Sequence, residues 1–302
     1  MSAGKVAPQS PAEAGWPLTE FWPNAGAFFI GKSWTRTARL AKEGEKTGVI
    51  WGWAGPGGSK DRVSFGTLRY DADDHEILST APFGGSGEAS PDLLKGNHPA
   101  LQNVLIVDGV GQQWFDSIAI QRLRHGVTRR LGPDTFLMDM GPRDRPDFRS
   151  EYDHIPVGGV FWTRKVHYDR AKDILWIKDV ASTGDKKPHQ LRFNWISPEL
   201  QVRYAETVKL AGGYTLVGKA LDPQVALTSE LRTHREAYEE FQARLKKDPS
   251  LERYREESAG FIWKSVYSGL DAPAARIVWA VGKDPVALRD YLETHDGAHE
   301  PE

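Results

Sequence analysis

The chain has 302 residues and a formal net charge of −2 at neutral pH. This balance leaves no basic field of the kind that attracts nucleic acid, so we expect no nucleic-acid partner. Cysteine is absent, which excludes disulfides, thiolate metal ligands and cysteine nucleophiles.

Residues 1–20 are rich in proline, alanine and serine and are expected to form a flexible lead-in. They contain no apolar segment typical of a secretory signal. No apolar run in the chain approaches the roughly 20 residues of a membrane span, so we expect a soluble protein without a membrane partner. Localisation stays open: cytoplasmic if the chain is complete, periplasmic if it is excised from a longer secreted protein.

Residues 21–302 are expected to form one β-sandwich domain, because short β-rich runs alternate with glycine, proline and aspartate turns. The 11 tryptophans and 30 glycines suit a sandwich whose aromatic residues fill the core and line a sugar-binding groove. Two longer connections, about 80–100 and 132–158, are predicted to be loops. The predicted strands are 27–30, 47–53, 63–70, 76–78, 103–107, 159–168, 174–179, 190–195, 201–207, 214–218 and 276–281.

One segment departs from the β pattern and predicts a helical hairpin over about residues 228–259. Asp248 and Pro249 supply the cap and first position of its second helix. The apolar stripe of the hairpin is expected to cover either the sandwich or a second copy of the chain. A 4-3-4-3-4 spacing, typical of one helical face, relates the residues of that stripe: Leu227, Leu231, His234, Tyr238, Phe241 and Leu245.

A glycine-rich turn runs into a predicted strand as GPGGSKDRVSF, with Asp61 followed by Ser64 and Phe65. This segment resembles the H-x-H-x-D-x-G-S-F strand in the β-sandwich domain of heparinase II/III-like polysaccharide lyases. Gly57 and Ser59 stand where that family has its two histidines.

A second segment, QNVLIVDG, resembles the family's H-N-T-x-L-V-D-G strand. Asn103, Asp108 and Gly109 match this pattern, and Gln102 replaces the histidine. The resemblance implies an all-β fold, a two-sheet antiparallel β-supersandwich into which the helical hairpin is inserted.

The resemblance continues in a strand that carries Arg164, followed by a strand that closes in Asp179. It implies β-elimination on a uronic acid within an anionic polysaccharide or oligosaccharide. Complete members of the family also carry an α/α toroid, for which this sequence has no counterpart. The resemblance therefore leaves three interpretations: an excised domain, a subunit that needs a toroid partner, or a lone sandwich with another role. A homodimer through the helical hairpin is the alternative to the toroid partner.

The family's zinc-bearing members take two histidines and an aspartate from the sandwich. In this sequence Ser59, Gln102 and the Ser79–Thr80 region stand at those positions. Such side chains do not make a zinc site, which needs histidine, cysteine or carboxylate ligands. We predict no metal and no cofactor.

A β-elimination needs a base, an acid and a group that neutralises the uronate carboxylate. His98 and Tyr70 are the catalytic candidates. His98 lies four residues before the vacant histidine position at Gln102, and the alternative for it is an exposed loop histidine without a catalytic role.

Lys60 and Arg62 are candidates for binding the substrate carboxylate, because they flank Asp61 in the glycine-rich turn. A surface ion-pair cluster around Asp61 is an equally good interpretation. Asn103 either hydrogen-bonds the substrate or holds the glycine-rich turn in place.

Trp51, Trp53 and Trp114 are candidates for stacking on a sugar ring. Trp51 and Trp53 share a strand face, so they are buried or exposed together, and burial is the default expectation. Three functions remain open: a lyase domain, a carbohydrate-binding relative that has lost the histidines, and an assembly domain.

Overall fold

The computed structural model describes residues 15, 17–33, 47–54, 66–78, 103–111, 126–141, 155–233, 246–247, 264–296 and 299–300. Within this part of the chain, the α-helix α1 spans Pro285–Thr294, and a 3-10 turn spans Ala211–Gly213. No described helix is long and apolar enough to cross a membrane. The strands are β1 (Thr19–Trp22), β2 (Ala27–Gly31), β3 (Gly48–Trp53), β4 (Thr67–Ala72), β5 (His75–Leu78), β6 (Leu105–Val107), β7 (Val127–Gly132), β8 (Thr135–Asp139), β9 (Val160–Asp169), β10 (Ile174–Thr183), β11 (His189–Trp195), β12 (Gln201–Tyr204), β13 (Thr207–Lys209), β14 (Thr215–Ala220), β15 (Thr228–Thr233), β16 (Lys264–Ala272) and β17 (Ala274–Gly282).

These strands form three antiparallel sheets. The first has five strands in the order β1-β2-β3-β4-β5, and the second has eight in the order β12-β13-β14-β17-β10-β9-β8-β7. The third has four strands in the order β15-β16-β11-β6. The predicted all-β antiparallel sandwich is confirmed, with the layer opposite the eight-stranded sheet divided into two sheets.

The inner face of the eight-stranded sheet packs against both other sheets. Phe28 in β2 stacks on Phe136 in β8 with ring centroids 4.3 Å apart. Trp279 in β17 lies 5.2 Å from Trp195 and 6.0 Å from Phe193, both in β11. All five side chains are buried. One aromatic-rich core therefore joins the three sheets, as the composition predicts.

Helix α1 covers part of the outer face of the eight-stranded sheet. Asp284 caps its first turn by accepting hydrogen bonds from the backbone amides of Val286 and Ala287, and proline occupies the first helical position. Leu288 and Leu292 pack in a small buried cluster with Trp176 of β10. This helix was not predicted from the sequence.

The predicted helical hairpin is wrong at its start, because residues 228–233 form strand β15. All six positions of β15 pair with β16, from Thr228 opposite Gly269 onward. Leu227 is buried whereas Leu231 is 44% exposed, so the two do not share a buried helical stripe. Lys246 and Lys247 are helical, and the remainder of the predicted hairpin, with its proposed dimer surface, lies outside the described residues.

Two other elements differ from the predictions. The predicted loop 132–158 contains β8, which pairs with both β7 and β9. The predicted strand 201–207 is a hairpin of two strands, β12 and β13, with a register shift between Val202 and Tyr204. The other predicted strands within the described residues are observed, with ends shifted by a few residues.

Candidate functional site

Aromatic side chains lie on the outer face of the five-stranded sheet. Phe29 is directly opposite Trp51 on the neighbouring strand, and Trp53 is two residues further along β3. In β3 the alternate residues Ile50 and Gly52 are buried, whereas both tryptophans are only half-buried. The two indoles share one environment, as their common strand face predicts: each is partly buried and partly exposed, and Trp53 also packs against the hydrophobic core.

The orientation of this aromatic face is fixed by backbone contacts. The indole Nε1 of Trp53 donates to the carbonyl oxygen of Ala25 at 2.8 Å. At the end of β1, Trp22 is 50% exposed and stands opposite Ala27, which in turn stands opposite Trp53. We call Trp22, Phe29, Trp51 and Trp53 the aromatic face. It offers flat, partly exposed rings on a rigid sheet, the kind of surface on which a pyranose ring stacks.

The charges beside the aromatic face compensate one another. Arg69 stands opposite Trp51 on β4. Its guanidinium donates to both oxygens of Asp71 at 2.8 and 3.1 Å and lies 3.5 Å from the carboxylate of Glu76. Glu20 stands opposite Phe29 on β1. Arg69 therefore has its charge already matched, and the described part of this face presents aromatic rings rather than net positive charge.

Tyr70, a predicted catalytic residue, points into the protein interior. Its side chain is fully buried, and its hydroxyl accepts a hydrogen bond from Lys32 at 3.2 Å. Lys32 also donates to Tyr214 at 3.3 Å and forms an ion pair with Asp173 at 2.6 Å. A second tyrosine, Tyr168, donates to the same aspartate at 2.6 Å. These contacts give the buried Lys32 ammonium hydrogen-bond acceptors and a counter-charge, both of which a buried charge requires.

The surroundings of Tyr70 argue against the predicted catalytic role. Burial raises the pKa of Tyr70 well above its ordinary value, and the nearby Tyr214 and Asp173 raise this pKa further. A tyrosine acting as the base must reach the substrate and give up its proton near neutral pH. A fully buried, protonated phenol does neither.

Asn103 is buried at a point where the three sheets meet. Its amide nitrogen donates to the carbonyl of Leu68 at 2.8 Å, and its side-chain oxygen accepts from the backbone amide of Ile196 at 2.8 Å. Its own carbonyl accepts a hydrogen bond from Arg164 at 2.6 Å. These bonds favour the structural one of the two predicted roles, because the amide group is used inside the protein and has no exposed surface.

A histidine that was not predicted as a site residue lies beside the Asp108-Gly109 turn. The Nδ1 of His189 is 2.7 Å from a carboxylate oxygen of Asp108, and its Nε2 is 3.1 Å from both carboxylate oxygens of Asp185. Hydrogen bonding to Asp108 and Asp185 raises the pKa of His189. Both ring nitrogens are occupied, so this imidazole has no free lone pair with which to act as a base.

Among the described residues, no group of three or more histidine, cysteine or carboxylate side chains is arranged to hold a metal ion. The catalytic candidate His98 and the substrate-binding candidates Lys60, Arg62 and Trp114 lie outside the described residues. The positions of the replaced histidines, at Gly57, Ser59 and Gln102, lie outside them as well. The roles assigned to these residues stay predictions.

The fold and the aromatic face define a multi-sheet antiparallel β-sandwich with a surface suited to stacking. The sequence matches no protein-family profile and no curated protein. In a search of solved structures, the chain is similar to the crystal structure of a heparan sulfate lyase HepC mutant from Pedobacter heparinus. The TM-score is 0.51 at 12% sequence identity, and the match covers 87% of this chain and 36% of that chain. At this identity the likeness establishes a polysaccharide-lyase-like fold and nothing finer.

Proposed function

We propose that this chain is a polysaccharide-lyase-type β-sandwich that binds uronic-acid-containing polysaccharide through its aromatic face. The observation that carries the proposal is the pair of half-buried indoles, Trp51 and Trp53, on one rigid strand. Their faces supply the stacking surface that a sugar chain needs. The lyase-like fold supports the choice of a polysaccharide as the ligand.

The position of the candidate cations in the sequence also supports this site. Trp53 ends β3 and Thr67 begins β4, and the two residues are register partners. The segment that joins them carries Lys60 and Arg62. We propose that these two side chains bind the uronate carboxylates at that end of the aromatic face, since Arg69 is already paired.

Replacing Trp51 or Trp53 by alanine should weaken binding of a uronic-acid polysaccharide at least about fivefold, because truncating a central aromatic contact commonly costs more than 1 kcal/mol. Isothermal titration calorimetry with a short oligouronate measures this change. Tyr204→Ala is the matched control, since Tyr204 is an aromatic residue with 67% exposure on a different sheet. Equal affinity in wild type and both tryptophan variants would rule out the aromatic face.

Catalytic β-elimination is the second candidate function, and the lyase-like fold favours it. It requires a base supplied by His98 or by the α/α toroid partner that the family resemblance implies. Near-ultraviolet absorbance of the chain incubated with uronic-acid polysaccharides tests it, because elimination creates an unsaturated uronate. A rising signal that His98→Ala abolishes would establish catalysis, and a flat trace would leave binding as the function of this chain.

A further inference from the structure

A row of basic side chains crosses the outer face of the eight-stranded sheet. Lys165 on β9 is the register partner of Lys178 on β10. Arg129 and Leu137 continue the row on one side, and Val278 and Lys219 continue it on the other. We call these six positions the basic row: Arg129, Leu137, Lys165, Lys178, Val278 and Lys219. None of the six is a carboxylate.

The two central lysines share the carboxylate of Glu300, which follows α1 in the sequence. Glu300 accepts from Lys165 at 2.7 Å on one oxygen and from Lys178 at 2.5 Å on the other. The lysine side chains are 16% and 18% exposed, and that of Glu300 is 31% exposed. Like charges directly opposite on neighbouring strands repel one another, so the pair needs an anion. The anion comes from the segment that follows α1 and not from the sheet.

The local electrostatics show that this site favours a carboxylate. Partial burial alone raises the pKa of Glu300, but the hydrogen bonds from Lys165 and Lys178 outweigh it and lower the pKa below its ordinary value. Trp176 lies beside the site, with the Lys165 ammonium 5.9 Å from its ring centroid. The indole Nε1 of Trp176 donates to the carbonyl of His295 at 3.2 Å, which holds the end of α1 against the same face.

The basic row extends beyond this pair toward an open cavity. Lys219 lines a cavity of about 360 Å³ together with Arg289 of α1, and Leu227 forms part of its apolar wall. Lys219 is paired with Glu293 at 2.7 Å, and Arg129 is exposed at the opposite end of the row. Val278, which lies between Lys178 and Lys219 in the row, is fully buried in the cluster beneath α1. The exposed part of the row is interrupted there, so the central lysine pair is a separate site from Lys219.

We infer that Lys165 and Lys178 form a binding site for the carboxylate of an anionic oligosaccharide, and that Glu300 occupies this site in cis. Glu300 presents the same functional group as a uronate and uses both of its oxygens. Glu300 then competes with the ligand, and affinity rises when its carboxylate is removed. The choice of an oligosaccharide rests on the proposed function, whereas the carboxylate site itself rests on the two lysines and Glu300.

Lysine footprinting tests the site directly. The full chain is acetylated and the reactivity of each lysine is read by mass spectrometry. In Glu300→Gln, Lys165 and Lys178 should react about tenfold faster than in wild type, and a short oligogalacturonate should restore their protection. A neutral malto-oligosaccharide of the same length should not. Glu293→Gln is the matched control, because it removes one exposed carboxylate from Lys219 and should leave the central lysines unchanged.

Calorimetry is the second test of the site, and it measures the affinity for oligogalacturonate. Glu300→Gln should bind the oligogalacturonate about tenfold more tightly than wild type, and Lys165→Gln with Lys178→Gln in that background should remove the gain. Thermal melts check that each variant is folded. Unchanged lysine reactivity in Glu300→Gln overturns the inference. So does reactivity that rises without protection by oligogalacturonate. Failure of the proposed function appears separately, as an affinity that Trp51→Ala leaves unaltered.

Discussion

A fully buried ion pair lies at the centre of the sandwich. Arg164 donates from Nε and from one terminal nitrogen to the two oxygens of Asp179, at 2.8 and 3.0 Å. The indoles of Trp162 and Trp279 each donate to the same carboxylate at 3.0 Å. The remaining Arg164 nitrogen donates to the carbonyls of Gly66 and Asn103. These hydrogen bonds to both charged groups offset the free-energy cost of removing the pair from water.

Breaking this pair should be strongly destabilising. Arg164→Met leaves the Asp179 carboxylate buried with only two indole donors, which should lower the free energy of unfolding by about 3–5 kcal/mol. Urea unfolding followed by tryptophan fluorescence measures the change. Arg232→Met is the control, because the Arg232–Glu230 pair is 49% and 60% exposed and should contribute at most about 1 kcal/mol. Similar losses in both variants would contradict this account of the core.

The His189 cluster predicts a pH dependence of stability. Hydrogen bonds that His189 donates to the carboxylates of Asp108 and Asp185 raise its folded-state pKa, so protonation stabilises the folded chain. This stabilisation is complete below the unfolded pKa of about 6.5 and is lost as the pH rises through the folded value. Burial lowers the pKa of His167, so its titration belongs to the acid side of this window.

Urea midpoints between about pH 6 and about pH 9 test this prediction. Wild type should lose stability across the range, and His189→Asn should show a smaller slope. The control is His299→Asn, since the side chain of His299 is 82% exposed. A slope in His189→Asn as steep as in wild type would show that another group is responsible.

Single residues show where sequence patterns stop being informative. The alternation of β3 predicts that Trp51 and Trp53 share a face, and the structure agrees. Which face points outward depends on the packing of β2 and β4, which no local pattern encodes. Tyr70 and Asn103 are polar residues in predicted strands, and only the tertiary contacts show that both are buried. Polar side chains in strands are therefore weak evidence for a site.

Elements were predictable where local and tertiary preferences agree. The sequence signal for helix α1 is the cap residue Asp284 with Pro285, followed by apolar residues at helical spacing. The segment is too short for this periodicity to predict a helix. Strand β15 is the opposite case. Leu227 and Leu231 have helical spacing, but the segment forms a strand because six of its residues pair with β16. Tertiary pairing overrides a short periodic pattern.

The basic row is also a property of the secondary-structure elements, because only strand pairing brings its residues side by side. Lys165 and Lys178 are thirteen positions apart in the sequence and become neighbours when β9 and β10 pair. A shift of one residue in this pairing would place Lys178 on the face opposite to Lys165. The sequence alone therefore cannot reveal the site.

The whole molecule has two different outer surfaces. The inner faces of the five-stranded and eight-stranded sheets pack on one another through Phe28 and Phe136, so their outer faces lie on opposite sides of the sandwich. One carries the aromatic face, whose neighbouring charges are compensated. The other carries the basic row, in which Glu300 forms ion pairs with the two central lysines. The proposed stacking surface and the proposed carboxylate site are thus on opposite sides of the sandwich.

This separation predicts independent contributions to binding. The two packed sheets alone are about 10 Å apart, and at such distances mutational effects add to within about 0.5 kcal/mol. A short oligouronate reaches only one of the two surfaces at a time, so calorimetry should separate two sites. Trp51→Ala should weaken only the affinity of the first site, Glu300→Gln should strengthen only that of the second, and the double variant should show both changes. A single substitution that alters both affinities would mean that Trp51 and Glu300 act on one shared site.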